Sequence, residues 1–216
     1  GKLSRSSQIG WKIAATSVNG QKHIGVPGPL AGRLLADRTK MSGDTLELGA
    51  NLMGVAEAEF CFQLGKDLPP RNTAYSIEET LEAVDTLHTA IEIPDSRYID
   101  FVTAGETQLI ADNACASWFV LGPPTTADWR SIDLRDHKVQ ALVNGTIVEE
   151  GIGKNVLGDP RIALRWIVNE LSNEGIGLRA KEVVTTGTCV LPFQIKPNDY
   201  VELEFGQIGR VSVTLS

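Results

Sequence analysis

GVAEAEFCF, residues 54–62, is the segment around which the rest of the chain is organised. It is bounded by Gly65 and by Pro69-Pro70, and its alternating character predicts a β-strand. Residues two apart on a strand point the same way, so Glu57 and Glu59 share one face and the apolar residues around Phe60 share the other. The two carboxylates then lie roughly 7 Å apart. At an effective dielectric constant of about 20 they repel by roughly 2 kcal/mol.

Two interpretations of this glutamate pair are open. The pair is either the exposed polar face of an edge strand, or it lines a cleft in which a positive group lies between the carboxylates. A hard divalent cation such as Mg²⁺ suits the second case, because it takes one to three carboxylates and keeps its other positions for water or substrate.

Composition limits the classes of function. The chain has 216 residues, a formal net charge of −7 and a sequence pI near 5.0, which argues against nucleic acid or an anionic membrane as a partner. No apolar run reaches 18 residues, and Cys61, Cys115 and Cys189 are widely spaced in apolar contexts. We therefore expect free thiols and a cytoplasmic location.

Other residues along the chain allow a structural and a functional interpretation. Lys12 is the only charge in the predicted strand 9–15, where it either reaches solvent or acts as an acid or base. Asp37 follows an apolar run and is most simply a turn or cap residue. Glu92, between two isoleucines, either faces water or supplies a third oxygen ligand, and Asp95 and Arg97 are predicted to form an ion pair.

Periodicity and capping patterns predict three helices. The first covers residues 71–90, where Ser76 and Glu79 form a capping box and His88 is predicted to cap the carboxyl terminus. The second covers 105–122, and the third begins at Asp159 with Pro160 in its first turn.

Turns and short apolar runs predict the strands. Asn144-Gly145 between apolar runs predicts a hairpin over 138–149, and three strands follow at 182–186, 200–205 and 211–215. The order indicates a single α+β domain. No zinc spacing, phosphate-binding loop or nucleophile motif is present in the sequence.

Several motifs together carry a resemblance. They are GWKI at 10–13, VAEAEF at 55–60, AIEIPDSR at 90–97, ADNA at 111–114 and VTTGT at 184–188. In this order they resemble the 2-oxopent-4-enoate (2-hydroxypentadienoate) hydratase and 4-oxalocrotonate decarboxylase family of the fumarylacetoacetate hydrolase superfamily.

The resemblance implies a mixed β-roll with a few flanking helices. It implies that Glu57, Glu59 and Glu92 bind Mg²⁺ or Mn²⁺. It also implies that Lys12 and Asp37 transfer protons at the substrate, and that Thr188 binds its carboxylate or oxo end. We expect a homo-oligomer that acts on a small 2-oxo acid and associates with a pathway enzyme.

The implied reaction is addition of water to a 2-hydroxy-2,4-dienoate in the degradation of aromatic meta-cleavage products. The alternatives are decarboxylation of a 4-oxalocrotonate-type acid, C–C bond hydrolysis, and a non-catalytic partner subunit. The sequence departs from the family in three ways. We expect residues 1–216 to be one catalytic domain that lacks the family's N-terminal helical segment. Ala14 and Arg33 replace a usual glycine and a usual aromatic residue beside the expected pocket, and Asn198 replaces a turn glycine.

Overall fold

The computed structural model describes residues 6–216 and contains two β-sheets flanked by short helices. The strands are β1 (Gln8–Ala14), β2 (Leu30–Leu35), β3 (Thr39–Met41), β4 (Thr45–Leu46), β5 (Val55–Leu64), β6 (Val84–Ile93), β7 (Trp118–Pro124), β8 (Lys138–Val143), β9 (Thr146–Ile152), β10 (Val183–Thr188), β11 (Phe193–Gln194), β12 (Tyr200–Glu204) and β13 (Arg210–Leu215). The helices are α1 (Val18–Ile24), α2 (Ile77–Glu82), α3 (Glu106–Ala111) and α4 (Pro160–Asn173). The α+β prediction is confirmed.

The larger sheet has the order β2-β1-β10-β5-β6-β7-β3, with β11 paired to β5, and the smaller has the order β4-β13-β12-β8-β9. Both sheets mix parallel and antiparallel pairs, since β1 runs parallel to β10 and β13 parallel to β4. The long strands β5 and β6 are antiparallel neighbours inside the larger sheet. Residues on these two strands are therefore held in register by backbone hydrogen bonds on both sides.

The core lies between the sheets and under α4. Phe60 and Phe62 point inward from β5 and are fully buried, and the Phe60 ring meets Phe205 edge-to-face at 5.1 Å between centroids. Burying one such side chain contributes about 1.5–3 kcal/mol. This burial fixes the alternation of β5, so that Glu57 and Glu59 must face the other side.

Local signals predicted several elements correctly. Three kinds of strand prediction are confirmed: β5, the Asn144-Gly145 hairpin and the three C-terminal strands. The start of α4 is also as predicted, because the Asp159 side chain accepts a hydrogen bond from Arg161 N at 2.8 Å. Asn198 is in the left-handed region with φ of 73°. It therefore takes the conformation that a turn glycine would.

The helix predicted over 71–90 is confirmed only over Ile77–Glu82 and is wrong on either side of it. Ser76 and Glu79 do form the capping box, but α2 ends at Glu82 and β6 follows. Nearly every residue of β6 is buried because the strand has sheet neighbours on both sides and is covered on both faces. Its sequence therefore lacks the alternation typical of a half-exposed strand. His88 lies within this strand, where its ring is hydrogen-bonded to Thr86 and to the Gly122 carbonyl, and caps no helix.

Two other predictions are corrected. The helix predicted over 105–122 ends at Ala111, and its apolar second half forms β7, which pairs with β6. Asp95 and Arg97 do not pair with each other. Asp95 accepts hydrogen bonds from the backbone N–H groups of Leu52 and Met53, and Arg97 pairs with Asp112. The sequence patterns did not predict α1, a seven-residue helix capped by Ser17.

Candidate metal centre

Two neighbouring strands bring three acidic side chains together. Glu57 and Glu59 project from the same face of β5, and Glu92 on β6 lies directly opposite Glu57 in the antiparallel register. One carboxylate oxygen from each of the three lies within 4.8 Å of the others. Glu59 and Glu92 are buried and Glu57 is half-buried. The sequence prediction placed these three residues in one cluster, and the structure brings them together.

A third strand fixes the orientation of Glu59. The ladder between β10 and β5 is interrupted between Thr185 and Thr188, and within this irregularity Gly187 has φ of 92°. The Gly187 N–H donates to Glu59 Oε2 at 3.0 Å. A Cβ at this position would collide with the side chain of Thr16, so both the backbone conformation and the space require glycine.

Lys12 on β1 is the cation of the cluster. Its Nζ lies 2.7 Å from Glu92 Oε1 and donates to the Ala114 carbonyl at 2.9 Å, with the side chain almost fully buried. Burial opposes the charged form, but the carboxylates of Glu92, Glu57 and Glu59 outweigh it, so the pKa of Lys12 is raised. The ammonium is therefore the favoured form. This suits a hydrogen-bond donor or an acid better than a base.

Two of the glutamates, Glu57 and Glu59, have raised pKa values. Burial, and then the charge of Glu92, raise the pKa of Glu57 to about 7. Burial and the neighbouring carboxylates of Glu92 and Glu57 also raise the pKa of Glu59 well above its ordinary range. Lys12 offsets only part of this repulsion. The cluster therefore holds more negative charge than its single cation balances.

The cluster fits a hard divalent cation. Glu59 Oε1 and Glu92 Oε2 are buried and have no hydrogen-bond partner among residues 6–216. Buried carboxylate oxygens without a partner are costly unless an ion or a proton satisfies them. Three carboxylates and no nitrogen or sulfur donor match the oxygen preference of Mg²⁺ and related ions.

A cavity of about 1070 Å³ opens beside the cluster. Lys12, Glu57 and Thr188 lie on its wall. The remaining wall is mainly apolar and includes Ile13, Leu30, Met53, Val55, Phe101, Leu109, Leu191 and Pro192, with Glu149, Glu150 and Lys154 among the polar residues. A small acid in this cavity would meet Lys12 and Glu57 of the cluster on a wall that is otherwise mainly apolar.

The other predicted site residues are placed differently. The Thr188 hydroxyl donates to the Val190 carbonyl at 2.8 Å, so binding a substrate carboxylate requires it to turn away from that acceptor. Asp37 is exposed in a short 3₁₀ turn and lines a separate cavity of about 880 Å³, onto which Glu92 and Arg33 also face. The structure therefore does not bring Asp37 into the cavity that Lys12 lines, and its role in proton transfer stays a prediction. Of the two departures near the expected pocket, Ala14 lines the larger cavity and Arg33 the smaller.

Two backbone groups of the site were missed in the sequence. The Gly187 N–H was signalled only by the glycine within the TTGT stretch, and the Ala114 carbonyl carries no residue-type signature at all. Both contact charged side chains of the cluster directly.

Comparison with known proteins agrees with this geometry. Residues 41–216 match the fumarylacetoacetate (FAA) hydrolase C-terminal family. A 2-keto-4-pentenoate hydratase of Paraburkholderia xenovorans (strain LB400) is 33% identical over 203 residues, which are 94% of this chain and 74% of the relative. A 4-oxalocrotonate decarboxylase of a Pseudomonas sp is 30% identical over 207 residues, covering 95% of this chain and 77% of that protein.

A solved structure shares the fold over almost the whole chain. The 4-oxalocrotonate decarboxylase from Pseudomonas putida G7, complexed with magnesium and adipate, superimposes with a TM-score of 0.87 at 25% identity, covering 98% of this chain and 79% of that one. The same decarboxylase has also been solved with calcium and acetate.

The chain belongs to the fumarylacetoacetate hydrolase family, within the group that includes 2-keto-4-pentenoate hydratases and 4-oxalocrotonate decarboxylases. The predicted fold type is thereby confirmed.

Proposed function

We propose that this protein is a Mg²⁺-dependent hydratase that adds water to a 2-hydroxy-2,4-dienoate, the enol form of a 2-oxo-4-enoate, to give a 4-hydroxy-2-oxo acid. The observation that carries the proposal is the convergence of Glu57, Glu59 and Glu92 within 4.8 Å. Glu57 and the buried Lys12 connect this cluster to the wall of the larger cavity. Hydratase-named relatives at about a third identity support the same reaction.

The three glutamates would hold the ion, with Mn²⁺ as the alternative metal. When bound, the ion would supply a Lewis acid that favours negative charge on the 2-oxygen of the substrate. The chain's own residues set the rest of the site. The Gly187 N–H keeps Glu59 turned toward the cluster, and the Lys12 ammonium offers a hydrogen-bond donor and a proton beside it. The apolar wall receives the hydrocarbon end of the substrate.

Decarboxylation of a 4-oxalocrotonate-type acid is the second candidate, and relatives of that name support it. The cavity wall favours the hydratase. 4-Oxalocrotonate carries a carboxylate at each end, whereas the cavity wall outside the cluster carries two carboxylates, those of Glu149 and Glu150, and one lysine ammonium, that of Lys154. This net negative charge on the wall disfavours binding of a second substrate carboxylate.

The assay follows the disappearance of 2-hydroxypenta-2,4-dienoate in the presence of Mg²⁺, with carbon dioxide release from 4-oxalocrotonate measured in parallel. We expect turnover of the dienoate that stops on chelation with EDTA and returns with Mg²⁺. Glu174→Gln, a change to an exposed acid at the end of α4, serves as the control variant. Carbon dioxide release without dienoate consumption would replace the hydratase with the decarboxylase.

Domain organisation, oligomeric state and cellular location are also inferred. We infer that residues 1–216 act as one catalytic domain in a homo-oligomer, and that the protein is cytoplasmic. Support for the location comes from the three cysteines, none of which is in a disulfide. In the described part of the chain, no helix has the length and apolar character needed to cross a membrane. Size-exclusion chromatography with light scattering tests the oligomer.

A further inference from the structure

A strained turn lies next to the cluster. Asn113, Ala114 and Cys115 have φ angles of 56°, 54° and 59°, and we call these three residues the left-handed turn. None is glycine, and each non-glycine residue in this conformation costs about 1–2 kcal/mol, with asparagine nearer the low end. Such strain persists only where surrounding contacts hold it.

Asp112 supplies these contacts. Its side chain is buried, and Oδ2 accepts hydrogen bonds from Ser96 Oγ at 2.7 Å and from Arg97 N at 3.1 Å. Arg97 Nη1 lies 2.9 Å from Oδ1 and also donates to the Asp112 carbonyl at 2.7 Å. The carboxylate therefore ties the start of the left-handed turn to the segment that follows Glu92 on β6.

Further hydrogen bonds join the left-handed turn to β2, to Asp95 and to the backbone of Asp112. The Asn113 side-chain amide pairs with both backbone groups of Arg33 on β2, at 2.7 and 2.9 Å. The Cys115 carbonyl accepts from Asp95 N at 3.0 Å, and Cys115 N donates to the Asp112 carbonyl at 3.2 Å. These contacts leave the Ala114 carbonyl directed at Lys12 Nζ, 2.9 Å away.

An ammonium group has three N–H donors. Among residues 6–216, Lys12 has two acceptors, Ala114 O and Glu92 Oε1, so its third N–H is available to a group in the cavity that Lys12 lines. We propose that Asp112 is a positioning residue: through the left-handed turn it fixes the Ala114 carbonyl, and so sets the direction in which the third N–H of Lys12 meets the substrate. This inference rests on the proposed function.

The test is a double-mutant cycle between Asp112→Asn and Lys12→Met in the Mg²⁺-loaded protein. Alone, Asp112→Asn keeps the size of the side chain but removes the charge that holds Arg97. We expect kcat to fall about tenfold to a hundredfold, because small misplacements of a reacting group have effects of that order, while KM and the affinity for Mn²⁺ change less than about twofold. In the Lys12→Met background, Asp112→Asn should lower the rate less than about twofold. Loss of the same factor in both backgrounds would overturn the proposal.

A second measurement does not depend on turnover. In metal-loaded protein labelled with ¹³C at lysine Cε, the Lys12 resonance, assigned by its loss in Lys12→Met, should shift in Asp112→Asn. Ser96→Ala, a milder change to the same contact, gives a second test if Asp112→Asn does not fold. An unmoved resonance in a folded variant would overturn the positioning role.

Asp199→Asn is the matched control. Asp199 is also buried, and it holds a turn by accepting from Asn144 Nδ2 and Lys196 N, both at 2.9 Å. It should lose stability without moving kcat or the Lys12 resonance. Absence of hydratase turnover in the unmodified protein would contradict the proposed function, while the resonance would still decide the positioning role.

Discussion

Replacing Glu57 by glutamine should change the stability of the fold in opposite directions with and without metal. Glutamine keeps the shape of the side chain and removes one of the three charges. In the metal-free protein this relieves repulsion, and in the metal-loaded protein it removes a ligand. We therefore expect Glu57→Gln to be more stable than the unmodified protein in EDTA and less stable in saturating Mg²⁺.

The charge and the pKa of Glu57 each give the size of the expected change in the free energy of unfolding without metal. Two carboxylate charges 4.8 Å apart repel by about 3 kcal/mol at an effective dielectric constant of about 20. A pKa of about 7 for Glu57, against an ordinary value of 4.5, corresponds to about 3 kcal/mol at 1.36 kcal/mol per pH unit. Glu57 is half-buried, so solvent reduces both figures, and we expect about 2 kcal/mol. For a chain of this size that corresponds to about 4–8 °C in Tm.

The pH dependence follows from the direction of the shift. Because the pKa of Glu57 is raised in the folded state, the folded protein binds this proton more tightly than the unfolded chain does. The free energy of unfolding contributed by the group is therefore intact below about pH 4.5, falls as the pH rises toward about 7, and is lost above that. In EDTA, the advantage of Glu57→Gln should be absent at pH 4.5 and complete at pH 8.

Thermal denaturation of both proteins in EDTA and in excess Mg²⁺, at several pH values, tests this reasoning. Metal at a hundred times its dissociation constant stabilises the unmodified protein by about 2.7 kcal/mol, enough to reverse the order of the two Tm values. Glu174→Gln should follow the unmodified protein under every condition. A variant less stable than the unmodified protein in EDTA at pH 8, or a difference independent of pH, would refute the account of the cluster.

Three further changes have defined outcomes. Glu59→Gln should lower kcat for the dienoate at least a hundredfold in saturating Mg²⁺, measured by steady-state kinetics; an unchanged rate would remove the metal from the proposal. Gly187→Ala should lower the free energy of unfolding, measured by urea denaturation, by about 2–3 kcal/mol, because it adds a collision with Thr16 to the strain of a positive φ. Gly145→Ala is the control: it has the same backbone strain but open space around it, so its free energy of unfolding should fall by the strain alone. Lys12→Met should lower kcat at least a hundredfold. Mn²⁺, titrated by electron paramagnetic resonance, should bind to this variant at least as tightly as to the unmodified protein, because the ammonium that competes for Glu92 is gone. Weaker binding of Mn²⁺ would show that Lys12 helps to hold the metal site.

The fold was predictable where a signal is local. The alternation of residues 54–62, the Asp159 cap with Pro160, and the Asn144-Gly145 turn each depend on neighbours in sequence, and each is present in the structure. Residues 84–90 were mistaken for helix because tertiary packing buries most of β6, which leaves no alternation to identify a strand.

The charged side chains of the site were predictable from the sequence, but the residues and backbone groups that hold them were not. Glu57, Glu59 and Glu92 share one cluster because the register of β5 and β6 places Glu92 opposite Glu57, which no single segment specifies. The partner of Arg97 is Asp112, fifteen residues away, because the chain returns to the end of β6 after α3. Asp37 lies in the 3₁₀ turn that follows β2 and lines the smaller cavity, whereas Lys12 lines the larger one.

Anomalous diffraction from crystals grown with Mn²⁺ and oxalate would locate the metal relative to the three glutamates. We predict one peak with a carboxylate oxygen from each of Glu57, Glu59 and Glu92 within about 2–2.5 Å, and with oxalate on the remaining positions. No peak at these residues, or a peak that any of the three fails to contact, would contradict it.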